Sequence, residues 1–186
     1  MAIAAVRPAA VDDVDEIVRI QATTWEAAYA ELLPPTALEQ LRTPQAHQAW
    51  RTAVEAGPGF HVLVATEGEW TVGFCAATPA QAPDGHTPTE EPIGPEHWAE
   101  IGALLVEPRW GRRGHGGRLL ATAAQALREG GALFGLAWVP EADAASRRFY
   151  ERAGWEPDGA VRVLDTGEST VREVRVTGSL DLKLEE

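Results

Sequence analysis

One stretch, VEPRWGRRGHGGRLL (Val106–Leu120), limits the fold more than any other part of this chain. Four glycines and four arginines crowd into it, directly after the apolar run WAEIGALLVEP. Pro108 ends that run, and Leu119, Leu120, Ala123 and Leu127 then recur at helical spacing. A strand therefore gives way to a helix here, and the glycines occupy the junction. Glycine holds no side chain between the backbone and a ligand. The free amide N–H groups of a helix start, together with its dipole, favour phosphate. Arg112 and Arg113 add positive charge outside such a cradle.

Several readings of the run are open on spacing alone. A Walker loop requires Lys-Ser/Thr after its glycines, which is absent. A dinucleotide fingerprint requires glycine where Leu119 stands. A pyrophosphate cradle of the coenzyme A type fits, as does an ordinary helix start with a solvated basic face. The basic run is local, since acidic residues outnumber basic ones 28 to 16 and the formal net charge is −12. That balance argues against a nucleic-acid-binding surface and slightly favours a cationic partner, although it also serves solubility. The one cysteine, Cys75, rules out an intramolecular disulfide and fits a reducing cytoplasm. It lies mid-strand and reads as inert core. No secretory signal or membrane-spanning run is seen, so the expectation is a cytoplasmic protein without a membrane partner.

Periodicity places a strand at Ala2–Arg7, then a helix from Val11–Asp13 to about Ala30, with acids at its start. Pro34-Pro35 breaks it, and a second helical stretch covers Thr36–Ala56. FHVLVATE and WTVGFCAAT form a hairpin at Gly68. Pro79–His97 reads as a long loop, and WAEIGALLVEP as the central strand. A helix runs to about Glu129, ALFGLAWV is a buried strand, and another helix spans Pro140–Ala153. Two strands, Trp155–Leu164 and Thr170–Leu184, close the chain. The expected fold class is α/β, a mixed central sheet of about seven strands flanked by four helices, in one domain covering residues 1–186.

A second motif, EADAASRRFYERAGW, puts Phe149 on the core side of its helix and leaves Arg147, Arg148, Glu151 and Arg152 to solvent. Tyr150 carries a hydroxyl that needs a partner. Taken with LLVEPRWGRRGHGGRLL and DAASRRFYERAGWEPDG, in that order along the chain, this resembles the GNAT superfamily of acetyl-CoA-dependent N-acetyltransferases. The likeness is densest from Trp98 to Gly159. It implies the GNAT fold and acetyl-CoA as co-substrate, bound by Leu104, Leu105, Val106, Arg112, Arg113, Gly114, His115, Gly116, Gly117, Asp143 and Tyr150. Two positions depart from the family pattern. Gly111 stands where glutamine or arginine is common, and Asp143 where asparagine is common. Asp143 still suits a helix cap.

The resemblance implies acetyl transfer to an amine, which needs a base, an oxyanion donor and an acid for the thiolate. Tyr150 is the expected acid, and a backbone amide near Leu105–Val106 the expected oxyanion donor. Glu100 is the expected base. Simple strand alternation puts it on one face with Leu104 and Val106; Glu107 is the alternative. Trp25 and Tyr29, near Glu26 and Glu31, are expected to shape the acceptor site, since aromatic rings and carboxylates suit a cationic amine. The expected acceptor is a small, polyamine-like or other cationic amine. No metal is expected, because His86, His97, Glu90 and Glu91 lack ligand spacing. A homodimer is compatible with the family. The rival reading is a non-catalytic acyl-CoA-binding sensor on the same fold.

Overall fold

The computed structural model describes residues 2–80 and 97–182. Among these residues seven strands form one sheet: β1 (Ala4–Pro8), β2 (His61–Glu67), β3 (Trp70–Ala80), β4 (Trp98–Val106), β5 (Phe134–Pro140), β6 (Glu156–Asp165) and β7 (Thr170–Ser179). Their order across the sheet is β1-β2-β3-β4-β5-β7-β6. The β4–β5 pair is parallel and all other neighbours are antiparallel. Among the described residues, five α-helices accompany the sheet: α1 (Val14–Tyr29), α2 (Pro35–Gln40), α3 (Pro44–Val54), α4 (His115–Glu129) and α5 (Ala144–Arg152).

The expected second helix is thus two helices. Pro44 sits in the first turn of α3, where its missing N–H costs nothing, and Thr43 caps that helix by accepting from the Ala46 amide at 3.2 Å. The expected helix at Pro140 begins later. β5 runs through Pro140, and Asp143 is the N-cap of α5. Pro79 pairs with Ala99 inside β3, so the strand extends past the expected loop start. His86, Glu90 and Glu91 lie outside the described residues.

Two apolar clusters identify the two faces of the sheet. On one side Ile17 and Ile20 of α1 pack with Val62, Val64, Phe74, Ala103 and Leu105. On the other, Leu119, Leu120, Ala123 and Leu127 of α4, with Tyr150 of α5, pack on Leu63, Cys75, Ile101, Leu104 and Val106. The α4 stripe expected from periodicity is buried in full. No described helix is long and apolar enough to cross a membrane.

One irregularity positions the site. The β3–β4 ladder pairs Ala77 with Ile101 but Ala76 with Ala103, so Gly102 is left over as a bulge. The extra residue reverses the alternation of β4. Glu100, opposite in phase to the α4-side Ala99 and Ile101, therefore shares the α1 face with Ala103 and Leu105. The expectation that it lies with Leu104 and Val106 fails for this reason. Nearby, the β4–β5 ladder ends at Glu100↔Leu136, whereas β5 continues to Pro140. Beyond that point β4 has a ladder partner on one edge only among the described residues.

Candidate active site

The opening between β4 and β5 leads into a cavity of about 470 Å³. Its lining draws on both faces of the sheet. Gln21, Trp25 and Tyr29 of α1 and Trp50 of α3 form one wall, Glu100 to Leu105 of β4 another, and Trp138, Arg162 and Glu173 of β5, β6 and β7 a third. Tyr150 reaches the same cavity from the α4 side.

Tyr150 is 6 % exposed. Its ring stacks on Trp155, with centroids 5.4 Å apart and planes 21° apart, and meets Phe149 edge-on. Trp155 lies across a bed of two paired glycines, Gly135 and Gly178; a Cβ on either would fall 2.3 Å from the indole. Its Nε1 donates to the Ser179 carbonyl at 3.0 Å. The tyrosine is thus held by packing, and its hydroxyl has no hydrogen-bond partner among the described residues. Burial, reinforced by nearby Cys75 and Tyr29, pushes its acidity far below that of a free phenol, so the proton stays on. Burial likewise pushes the Cys75 thiol up to about 12.

Glu100 and Glu173 line the cavity, and Glu107, the alternative base, follows β4. Glu107 is buried and tied to Arg19 at 3.0 Å and to Arg109 at 2.8 Å. Glu173 is buried and accepts from Arg162 Nε at 2.6 Å. Glu100 has no ion-pair partner among the described residues and is half-buried on the cavity wall. It alone is free to accept a proton from a ligand.

The glycine-rich turn forms as a cradle. Arg112, with φ +61°, is the only described non-glycine residue in the left-handed region, and Gly114 follows at φ +79° as the N-cap of α4. The backbone amides of Arg112 to Gly117 have no intramolecular acceptor among the described residues; the first helical bond is donated by Arg118 to Gly114. Gly117 faces open space, whereas a Cβ on Gly116 would meet the Phe149 ring at 3.2 Å. Unpaired amides over an open surface fit a pyrophosphate.

The side chains around the turn divide unexpectedly. Arg112 is exposed and unpaired among the described residues. Arg113 turns back to Glu67 at 2.8 Å and lies over the Trp110 ring. His115 points inward, 2 % exposed, with Nε2 2.8 Å from Glu67 Oε2. The ionised carboxylate can only accept, so Nε2 carries the proton. Only the backbone of His115 is left to the cradle. Arg118 closes the turn by donating to the Arg113 carbonyl at 3.1 Å. Glu67 has no local signal in the sequence, since it lies in the β2–β3 hairpin.

Asp143 and Tyr29, expected in different subsites, meet each other. Tyr29 Oη donates to Asp143 Oδ2 at 2.6 Å, and Asp143 also accepts from the Ser146 amide and hydroxyl. Burial and this carboxylate keep Tyr29 protonated. Trp25 packs edge-on against Tyr29 at 5.5 Å. Sequence reading missed Trp138, Arg162 and Glu173. They sit on separate strands, and only the β5-β7-β6 pairing unites them.

The sequence matches the model of the acetyltransferase (GNAT) family over residues 17–155. The chain belongs to the GNAT family. It is an acetyl-CoA-dependent N-acetyltransferase by that membership. The PaiA N-acetyltransferase of Thermoplasma acidophilum, in complex with coenzyme A, shares its fold with TM-score 0.69 and 16% identity, covering 95% of this chain and 99% of that one. YncA of Salmonella typhimurium, with its cofactor acetyl-CoA, gives 0.69 and 20%, covering 96% and 94%. The ribosomal-protein-alanine N-acetyltransferase of Brucella melitensis gives 0.68 and 23%, covering 94% and 99%. No curated protein matches the sequence significantly.

Proposed function

We propose that this GNAT enzyme acetylates the primary amine of a small molecule, with Glu100 as base and Tyr150 as acid. The observation that carries this reading is their placement. The Gly102 bulge turns Glu100 to the α1 side of the sheet, Tyr150 comes from the α4 side, and both line one cavity where β4 and β5 part. An amine entering from the α1 side meets the carboxylate, and a thioester on the cradle side meets the phenol.

Glu100 takes a proton from the ammonium, directly or through water, and frees the nitrogen lone pair. The nitrogen bonds to the thioester carbon, and backbone amides on the open edge of β4 near Leu105–Val106 stabilise the developing oxyanion. The carbon–sulfur bond then breaks, Tyr150 gives its proton to the departing sulfur, and the attacking nitrogen loses its remaining extra proton, which restores the phenol. The products are an N-acetyl amine and free coenzyme A. The amides of Arg112 to Gly117 and the Arg112 guanidinium hold the pyrophosphate, while Leu104 and Val106 line the same side of β4. Trp25 and Tyr29 close the acceptor side. With Trp50 and the free carboxylate of Glu100, they favour an amine that enters as its ammonium. The single buried cysteine suits the cytoplasm, where acetyl-CoA is available.

The test follows coenzyme A release from acetyl-CoA across polyamines, aminoglycosides, amino acids and peptides. Stimulation by a small amine supports the reading. Tight coenzyme A binding without stimulation by any amine would instead indicate an acyl-CoA sensor.

A further inference from the structure

We propose that the acceptor is an amino-carboxylate, whose amine goes to Glu100 and whose carboxylate is held by Arg162. This rests on the acetyl-transfer reading above and narrows its acceptor from cationic amines in general to zwitterionic ones.

The cavity wall formed by β5, β7 and β6 is built around Trp138. Arg162 lies over its ring at 4.5 Å and Arg175 at 5.6 Å. Each guanidinium has one carboxylate: Arg162 Nε donates to Glu173 at 2.6 Å, and Arg175 Nε donates to Asp158 at 2.6 Å. The Arg175–Asp158 pair is nearly buried, with side-chain exposures of 12 % and 8 %, and Arg175 does not line the cavity. Arg162 does line it, and its side chain is 43 % exposed.

The bond to Glu173 uses only Nε. The Nη1 and Nη2 groups of Arg162 have no acceptor among the described residues. Those two atoms form the end-on fork of a guanidinium, whose spacing matches the two oxygens of a carboxylate. Glu173 fixes the guanidinium from one side and Trp138 from its face, so the fork is oriented before a ligand arrives. One guanidinium serving two carboxylates already occurs in this chain, where Arg19 bonds both Glu16 and Glu107.

The charges at this wall also discriminate against a diamine. Its second ammonium would meet the fixed charge of Arg162, and the nearby carboxylate Glu173 is already committed. Glu100, on β4, has no such partner among the described residues. The cavity lining therefore presents a free carboxylate and a free guanidinium fork, the complement of a zwitterion. This revises the polyamine-like acceptor expected from Trp25, Tyr29 and the family resemblance.

The experiment compares kcat/KM for α- and ω-amino acids with their carboxamides, alongside putrescine and spermidine. Binding of each to the coenzyme A-saturated enzyme is measured in parallel by calorimetry. The expected result is a preference of about tenfold or more for the carboxylate over its amide. In R162Q/E173Q, which removes both charges together and leaves no buried acid unpaired, that ratio falls toward one. R162K, which keeps the charge but loses the fork, is intermediate. Turnover of diamines, with amino acids neither binding nor reacting, overturns the proposal and leaves acetyl transfer standing. Arg162-dependent binding of amino acids with no acetylation of any amine supports the site but sinks the acetyl-transfer reading. If no amino-carboxylate binds or reacts, the proposal is wrong.

Discussion

Tyr150 stacks on Trp155 at 5.4 Å, and Trp155 in turn lies against the Cα atoms of Gly135 and Gly178. The tyrosine is therefore placed by a tryptophan that needs two glycines on adjacent strands. Alanine at Gly178 would put a methyl 2.3 Å from the indole, and neither backbone nor indole can yield cheaply. Gly178→Ala is expected to cost roughly 1–3 kcal/mol or more, as overpacked cores do. Thermal unfolding checks this, and turnover should fall further than stability alone explains, because Tyr150 moves with its support. A melting temperature equal to wild type would contradict the packing account.

Tyr150→Phe removes the donated proton while keeping the ring on Trp155. Turnover is expected to fall by about 10²-fold or more, with coenzyme A affinity nearly unchanged. Because burial holds the phenol protonated, the wild type should show no loss of kcat from Tyr150 on the alkaline side up to about pH 10. Steady-state rates against pH, paired with coenzyme A titrations, separate these effects. An undiminished rate in the variant removes Tyr150 as the acid.

The cradle glycines should respond differently. Gly114 has φ +79°, so Gly114→Ala forces a side chain into the left-handed region and costs about 1–2 kcal/mol of stability. Gly117 lies in the first turn of α4, and a Cβ added there would find no atom within 4 Å. Gly117→Ala should leave the melting temperature level or raise it slightly, since alanine favours helix by up to about 1 kcal/mol. Coenzyme A affinity should nevertheless drop roughly tenfold if the pyrophosphate passes over that surface. Equal affinity in this variant would place the phosphates elsewhere.

Glu67 joins the β2–β3 hairpin to the cradle through His115 and Arg113. The His115 hydrogen bond, followed by the Arg113 charge and hydrogen bond, holds its carboxyl below the usual carboxylate range. A carboxyl depressed in the folded state stabilises fully above its unfolded value, near pH ~4.3. That contribution is lost as pH falls through the lower folded value. Melting temperatures of wild type and Glu67→Gln should therefore differ at neutral pH and converge as the solution is acidified below about pH 4. A gap that widens with acid would contradict this linkage.

The glycine-rich turn, the α4 stripe of Leu119, Leu120, Ala123 and Leu127, and the capped helix carrying Tyr150 were legible in the sequence. Each depends on residues a few positions apart, where conformational preference and hydrophobic period act directly. The strand order of the last two strands and the split at Pro44 needed more, because a helical period continues unbroken across Leu41–Thr43 until Pro44 restarts it.

What the sequence alone determined about this protein is the cradle, the tyrosine helix and the family they mark, all of them local patterns. Only the tertiary structure decided which side of the sheet Glu100 faces, because the Gly102 bulge is defined against the residues of β3 that it fails to pair. It also decided that His115 serves Glu67 through its side chain and that Asp143 meets Tyr29. Arg162, Glu173 and Trp138 became one wall in the same way. These are contacts between residues distant in the chain, created by strand pairing and by the separation of β4 from β5, and no local period encodes them.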